Sequence, residues 1–255
     1  MTDQQHPEPV TAALLVIGEE ILSGRTRDEN IAYIAAYLTR MGILLREVRI
    51  VADNEAEIGS AVNDLRRRFT YVFTTGGIGP THDDVTADAI AGAFGVEVAV
   101  DPNAVAAMRK RFDTEELTPA RLRMARVPKG ATLIDNAISR APGFVLENVI
   151  VMAGVPRIMQ VMLDAVAPRL AKGRPILTRS IRLDVPEGDA APGLADLQTA
   201  HPEVQIGSYP FFENKRLGTY VVLRATDADR LSAAVAGLWD LVAEQGFHAV
   251  AAEED

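Results

Sequence analysis

Apolar residues fall along this chain in two kinds of segment, short continuous runs and stripes that recur every three or four positions, and the two kinds alternate. Residues 12–17 and 71–73 are continuous β-prone apolar runs and read as buried strands, the second reaching 75, and 43–51 reads as a strand between them. Between 12–17 and 43–51, Ile31, Ile34, Ala35, Leu38 and Met41 lie on one helical face that Gly42 brings to an end. A second helix is predicted over 55–68. Val85, Ala89, Ile90, Ala93 and Phe94 mark a third over 84–94. Strands alternating with helices predict an α/β unit of three layers, a mostly parallel sheet with helices on both faces. Shorter strands are expected at 96–100, 131–134, 143–147 and 149–152. Helical stretches follow Pro102 and Pro119, and a helix from Pro156 to about residue 170 closes the unit.

The pattern changes after a Lys-Gly-Arg-Pro break at 172–175. Strands at 176–185, 204–209, 218–225 and 247–251, with helices at 192–200 and 227–245, give the β-α-β-β-α-β order of a small α+β ferredoxin-like domain. Leu231, Val235, Leu238, Leu241 and Val242 form the core stripe of its last helix. The expected organisation is a flexible polar leader at 1–11, an α/β domain at 12–172 and the ferredoxin-like domain at 176–255.

Composition removes several function classes. The chain has 255 residues, 48% of them apolar, and no cysteine, so disulfides, thiolate metal sites and cysteine nucleophiles are excluded. No apolar run reaches the roughly 20 residues that span a bilayer, and the start lacks the character of a signal peptide, so a cytoplasmic protein without a membrane partner is expected. A formal net charge of -9 argues against general nucleic-acid binding. The local basic groups are 66–68, read as a solvated helix end, and 121–126.

The segment VFTTGGIGPTHDDVT at 72–86 carries the clearest chemistry. It joins a buried strand ending at Thr75 to a turn containing Gly76, Gly77 and Gly79, which are free to take positive φ and to approach a ligand closely. Pro80 ends the turn, and Asp83 or Asp84 is placed to cap the following helix. Amides at such a turn favour an anion. Carboxylates beside an anion pocket suggest a divalent metal with oxygen ligands. A tight strand-to-helix turn with an ordinary Asp cap is the plainer alternative, and the combination favours the ligand site. Neither the dinucleotide fingerprint nor the phosphate loop is present.

Other candidates lie at the same sheet edge. The first strand runs into Gly18, Glu20 and Ser23, and then reaches Asn30, which is either a ligand contact or a helix N-cap. Asp53 is either a cap or a further acid. Ser139, Arg140 and Gly143 form a turn whose cation suits phosphate, and Gly154 allows close approach in the turn before Pro156. His82 is placed either to contact metal or phosphate or as a bystander, whereas His6, His201 and His248 are expected to be uninvolved. The aromatic cluster at 208–212 is read either as buried or as a stacking platform.

GEEILSG with Asn30, TTGGIGPTHDDVT, NAISRAPG from Asn136 and AGVP from Ala153 occur in this order and together resemble the molybdopterin-binding MoaB/Mog domain. The resemblance is closer still to the first part of CinA proteins, and it covers about residues 12–170. It implies a MoaB/Mog-like fold that binds a pterin or nucleotide phosphate. In the wider superfamily the domain binds the pterin phosphate of molybdopterin, and plant and bacterial members activate it by adenylyl transfer with magnesium. The CinA branch is associated with metal-dependent cleavage of pyrophosphates such as ADP-ribose, and a related domain occurs in eukaryotic FAD synthases. By position, Asp53 and Asp84 match the acids of the superfamily site, Gly76, Gly77 and Gly79 its anion loop, and Glu20 and Ser23 its first-loop motif. Two departures stand out, Arg123 and Met124 for a lysine and a glutamine, and Ser139 and Arg140 within a Gly-Thr-Ala-Pro-Gly-like run.

The resemblance leads to an expected metal-dependent hydrolase of nucleoside diphosphate linkages of ADP-ribose or FAD type. Asp84 and Asp53 are the expected catalytic residues, and Asp84, Asp53 and Glu20 the expected ligands of a divalent metal such as Mg, Mn or Co. Gly18, Glu20, Ser23, Asn30, Thr75, Gly76, Gly77, Gly79, Pro80, Arg123, Ser139, Arg140, Gly143 and Gly154 are the candidate phosphate-binding residues. The alternatives are a molybdopterin adenylyl or nucleotidyl transferase and a noncatalytic binding module. The expected partner is a small nucleotide or pterin phosphate, and a homo-oligomer is expected by family analogy.

Overall fold

A computed structural model describes residues 9–114, 116–213 and 216–252. Most of the leader, and His6 with it, lies outside them. The chain divides into two compact units, Met1–Gly173 and Arg174–Asp255.

In the first unit the elements run β1 (Thr11–Ile17), α1 (Glu19–Leu22), α2 (Asn30–Arg40), β2 (Leu44–Val51), α3 (Glu55–Arg68), β3 (Tyr71–Thr75), α4 (Thr86–Phe94) and β4 (Val98–Val100). They continue with α5 (Pro102–Phe112), α6 (Pro119–Arg123), β5 (Arg126–Pro128), β6 (Thr132–Ile134), β7 (Gly143–Leu146), β8 (Val149–Met152) and α7 (Pro156–Val166). Six strands form one sheet in the order β2-β1-β3-β8-β7-β6. Its first four strands are parallel, and β7 is antiparallel to both neighbours. Alternation along β1 sends Leu14 and Val16 into a core with α2 and α7, and Leu15 and Ile17 into a second core with α3 and α4. Burial on both faces explains the continuous apolar run.

Several boundaries differ from the sequence expectation. The closing helix stops at Val166 and continues only as a 3₁₀ turn, Ala167–Arg169, because Pro168 lacks the N–H needed to extend it. The short α1 forms where no helix was expected. β5 was not expected, and it pairs with β4 in a separate two-stranded sheet.

The second unit contains β9 (Leu177–Leu183), α8 (Glu187–Ala200), β10 (Gln205–Glu213), β11 (Arg216–Ala225), α9 (Ala228–Gln245) and β12 (Ala249–Ala251). The antiparallel order β10-β11-β9-β12 is that of a ferredoxin-like sheet. α8 begins at Glu187 and holds Pro192 inside it, so the favourable first-turn site for proline did not mark the helix start. β10 runs on through Pro210 to Glu213, which is tolerated because β10 is an edge strand. The stripe expected as core is inward, with Leu231, Leu238 and Val242 buried.

Hydrogen bonds from Arg182 and then from His248 hold the Asp184 carboxyl below its ordinary range. A carboxyl depressed in this way stabilises the fold above its unfolded pKa of about 3.9, and the contribution is lost as pH falls through the folded-state value. Thermal unfolding of the second unit is therefore expected to shift to lower temperature below about pH 4, and Asp184→Asn to flatten that part of the profile. Trp239 in α9 is the single tryptophan, so its fluorescence in the intact chain reports on this unit alone.

Candidate functional site

The glycine turn leaves the carboxyl end of β3, the edge at which parallel sheets collect ligands. Gly76 and Gly77 take φ of 105° and 64°, as only glycine does readily. A Cβ on Gly76 would strike the Ile17 carbonyl oxygen, and one on Gly77 the Thr86 hydroxyl. Gly79 does not have positive φ, contrary to expectation. It is needed because a Cβ there would stand 2.6 Å from an Asp84 carboxylate oxygen.

Asp84 does not cap α4. That helix begins at Thr86, with Val85 at the N-cap and no side-chain cap, and the Asp83 side chain does not cap it either. Asp84 turns back instead: Oδ1 accepts from Gly79 N at 2.6 Å, and Oδ2 accepts from Thr81 N at 2.7 Å and from Thr81 Oγ1 at 2.5 Å. The buried Thr86 closes the other side, its Oγ1 donating to the Gly76 carbonyl at 3.1 Å and its N to the Gly77 carbonyl at 3.0 Å. The Gly76 amide donates to Met152 O at 3.1 Å. Two of the amides expected to face an anion are thus used within the protein. Gly77 N and Ile78 N have no partner among the described residues.

The first loop settles two open alternatives. Asn54 caps α3 by accepting from Ala56 N at 3.0 Å and Glu57 N at 3.2 Å, which leaves Asp53 to accept from Glu19 N at 2.9 Å. Asn30 is not the N-cap of α2 but its first residue; Glu29 stands at the N-cap without a side-chain cap, and Asp28 Oδ1 accepts from Ile31 N. Asn30 is 4% exposed, and its Nδ2 donates to the Gly154 carbonyl at 2.8 Å, tying α2 to the turn after β8. The Glu20 carboxylate folds over Gly18, 2.7 Å from where a Cβ would lie.

A cavity of about 540 Å³ opens where these loops meet. Of the candidate residues, Glu20, Asp53, Gly76, Gly77, Gly79, Pro80, Ser139 and Gly154 line it. Gly18, Ser23, Asn30, Thr75, Asp84, Arg123, Arg140 and Gly143 do not. Gly18 and Gly143 admit neighbours where a Cβ would intrude, Ser23 is exposed after α1, and Thr75 is buried at the end of β3. Arg123 lies behind the turn, its Nη2 donating to the Asp84 carbonyl at 3.3 Å. Arg140 pairs with Asp135 at 3.4 Å in place of facing the cavity. His82 is outside the lining and its side chain is 99% exposed.

Sequence reasoning had Asp83 as one of the carboxylates beside the turn, and missed Thr26, Met124 and Asn136 as parts of the wall. Asn136 stands in a quoted motif, so its place was available there, whereas nothing local marks Thr26. A hydrogen bond from Thr81, then its own backbone amide and the charges of His82 and Arg123, hold the Asp83 carboxyl below its ordinary range. The lining carries three carboxylates, Glu20, Asp53 and Asp83, and no lysine or arginine. Asp84 is not brought together with Glu20 and Asp53. Among the described residues, no three acidic or histidine side chains cluster as metal ligands.

In the second unit, Phe211 packs on Tyr220 with ring centroids 4.7 Å apart, and the Arg182 guanidinium lies 4.3 Å from the Phe211 centroid. One ring of the 208–212 cluster, Phe211, is therefore already engaged, while Tyr209 and Phe212 are exposed and not buried.

A strand-turn-helix glycine turn at the edge of a mostly parallel sheet, beside a cavity lined from the loops after β1, β2 and β8, defines an α/β domain with a concavity of small-ligand size. The chain belongs to the probable molybdopterin binding domain family, whose model matches residues 13–172. Residues 175–251 match the middle domain of FAD synthase. A protein of Pyrobaculum arsenaticum is 35% identical over 210 residues, covering 78% of this chain and 79% of that one. A probable FAD synthase of Caenorhabditis elegans is 29% identical over 93% of this chain, which spans 51% of that protein. The crystal structure of CinA from Thermoplasma acidophilum, a protein described as of unknown function, superposes with a TM-score of 0.59 at 36% identity, covering 62% of this chain and 96% of that one.

Asp84→Asn replaces an acceptor for three donors with a group that has only one acceptor oxygen. It is expected to cost the first unit about 2 kcal/mol, read by denaturant unfolding. Gly76→Ala forces a strained φ as well as a clash and is expected to cost at least as much. Arg140, at φ 63°, is the reverse case: Arg140→Gly removes the strain and is expected to leave stability unchanged or raise it by about 1 kcal/mol.

Proposed function

We propose that the first unit binds the phosphate of a nucleotide or pterin in this cavity and hydrolyses a nucleoside diphosphate linkage of FAD or ADP-ribose type with a divalent metal. The observation that carries the reading is the meeting of the free Gly77 and Ile78 amides with the Glu20 and Asp53 carboxylates in one cavity. The probable FAD synthase among the relatives, together with the FAD synthase middle-domain match, supports the FAD-type substrate.

The donor set suits a hard cation. Asp53 would hold a magnesium-like ion whose shell water and substrate phosphate complete, leaving Glu20, which comes from a separate loop, free as a base. Such an ion supplies Lewis-acid polarisation of a phosphoryl oxygen. The chain does the rest. The Gly77 and Ile78 amides donate to the oxygen on which negative charge grows. The apolar wall, with Ile78, Ile158 and Met162, holds the ring of the ligand and excludes bulk water. Water attacks the adenylyl phosphorus, the bond to the bridging oxygen breaks, and Glu20 takes the proton of the attacking water. The products are AMP and a phosphorylated second half.

The test is product analysis of the purified chain with FAD and ADP-ribose across magnesium, manganese and cobalt. Metal-dependent AMP release is expected, with kcat lowered about 100-fold or more in Asp53→Asn. An adenylylated pterin from ATP and a pterin would move the assignment to adenylyl transfer, and ligand binding without turnover under any metal would make the unit a binding module.

A further inference from the structure

The loop between β6 and β7 contains a side chain whose bonding is complete. Asn136 is 1% exposed. Its Oδ1 accepts from Ile138 N at 3.1 Å and from Ser139 N at 3.2 Å, while its Nδ2 donates to Ser139 Oγ at 2.5 Å and to the Ala141 carbonyl at 2.9 Å. Two backbone N–H groups on one side and a carbonyl on the other leave one consistent orientation for the amide. Its own carbonyl accepts from Arg140 N at 3.0 Å, which helps to hold Arg140 at positive φ. Asn136 borders the cavity with nothing left to offer a ligand.

Ser139 is in the opposite state. Its Oγ accepts from Asn136 Nδ2 and from Ala141 N at 3.3 Å, so both lone pairs are engaged. The hydroxyl proton has no acceptor among the described residues, and Ser139 lines the cavity. A hydroxyl has one donor and two acceptor positions. With the acceptors filled, Ser139 donates only. It suits a phosphoryl or carbonyl oxygen, not an amino group, and its engaged lone pairs unfit it as a nucleophile.

We infer that Asn136 is a positioning residue that locks Ser139 as a one-way hydrogen-bond donor to an anionic oxygen of the ligand. This rests on the phosphate-site reading above. The inference assigns a task that charge does not perform, since the lining holds three carboxylates and no cation. An uncharged donor presented at the wall supplies an anion with a contact that costs no second buried charge. Changing Asn136 to Asp turns the Ala141 carbonyl and the Ser139 oxygen toward a carboxylate oxygen, so the hydroxyl has to swing to donate to it and is withdrawn from the ligand.

The experiment is calorimetric titration of the intact chain, in buffer containing magnesium, with AMP and with FMN, the two halves of FAD, neither of which holds a diphosphate to cleave. Ser139→Ala is expected to weaken binding about ten-fold, and Ser139→Thr, which keeps the hydroxyl, to stay within about two-fold of wild type. Asn136→Asp is expected to weaken binding at least as much as Ser139→Ala, since its carboxylate adds repulsion to the lost contact, and the double variant to be no weaker than Asn136→Asp alone, because the Ser139 contact is already gone there. Additive losses would overturn the positioning role, since a general loosening of the fold adds to the loss of the hydroxyl. If Asn136→Asp does not fold, the two Ser139 variants decide the donor role, and unchanged affinity in Ser139→Ala overturns it. Binding of neither probe by the wild-type chain would instead sink the phosphate-site reading, and the inference with it.

Discussion

The Asp84 carboxylate is the group on which the shape of the glycine turn depends. It gathers Gly79 N, Thr81 N and the Thr81 hydroxyl around two oxygens, across a segment with no regular structure to hold it. Hydrogen bonds to an ionised acceptor are about twice as strong as neutral ones, and three of them offset much of the entropy of ordering so short a loop. From the other side Thr86 fixes the Gly76 and Gly77 carbonyls. The two glycine peptides are pinned through their oxygens, so the amides of Gly77 and Ile78 are left oriented and without a partner among the described residues. A loop whose every N–H was internally bonded would hold no anion, and one with none bonded would have no fixed geometry.

Much of the architecture was legible because it is written in local period. Continuous runs such as Leu14 to Ile17 mark strands buried on both faces, and stripes such as Ile34 and Leu38 mark helices packed on one face. What was not legible depends on partners distant in sequence. Asn30 reads as an N-cap on local grounds, yet its amide reaches the Gly154 carbonyl, 124 positions away, and it is Asp28 that accepts from Ile31 N. Asp84 reads as a cap because it precedes a helix, but its acceptors face backwards to the turn. Pro192 is misleading for a related reason, since propensity favours proline at the helix start and packing of Ala190, Leu194 and Leu197 keeps the helix going through it. The glycines were the most legible part of the site, because φ and close approach are properties of the residue itself. The side chains were less so, because their roles are set by what the fold brings opposite them.

The arginines draw these points into one electrostatic argument. Arg123, Arg126 and Arg140 all lie near the turn in sequence or space, and a phosphate site would be expected to recruit them. Each is engaged elsewhere: Arg123 with the Asp84 carbonyl, Arg126 with both oxygens of Asp88, Arg140 with Asp135. Arg123 and Arg126 thereby brace the turn and the first part of α4 from behind. The cavity in front is left with carboxylates, amides and a hydroxyl. An anion entering such a wall meets repulsion from Glu20, Asp53 and Asp83 at the same time as donation from Gly77, Ile78 and Ser139. Neutral donors alone do not outweigh three carboxylates in a partly enclosed site, where charges interact several-fold more strongly than in bulk water. The wall is balanced only by a ligand that brings positive charge with its phosphate. On the proposed reading a metal-nucleotide complex meets that condition and a free phosphate ester does not, which would join the acids and the glycine turn in one site and not in two.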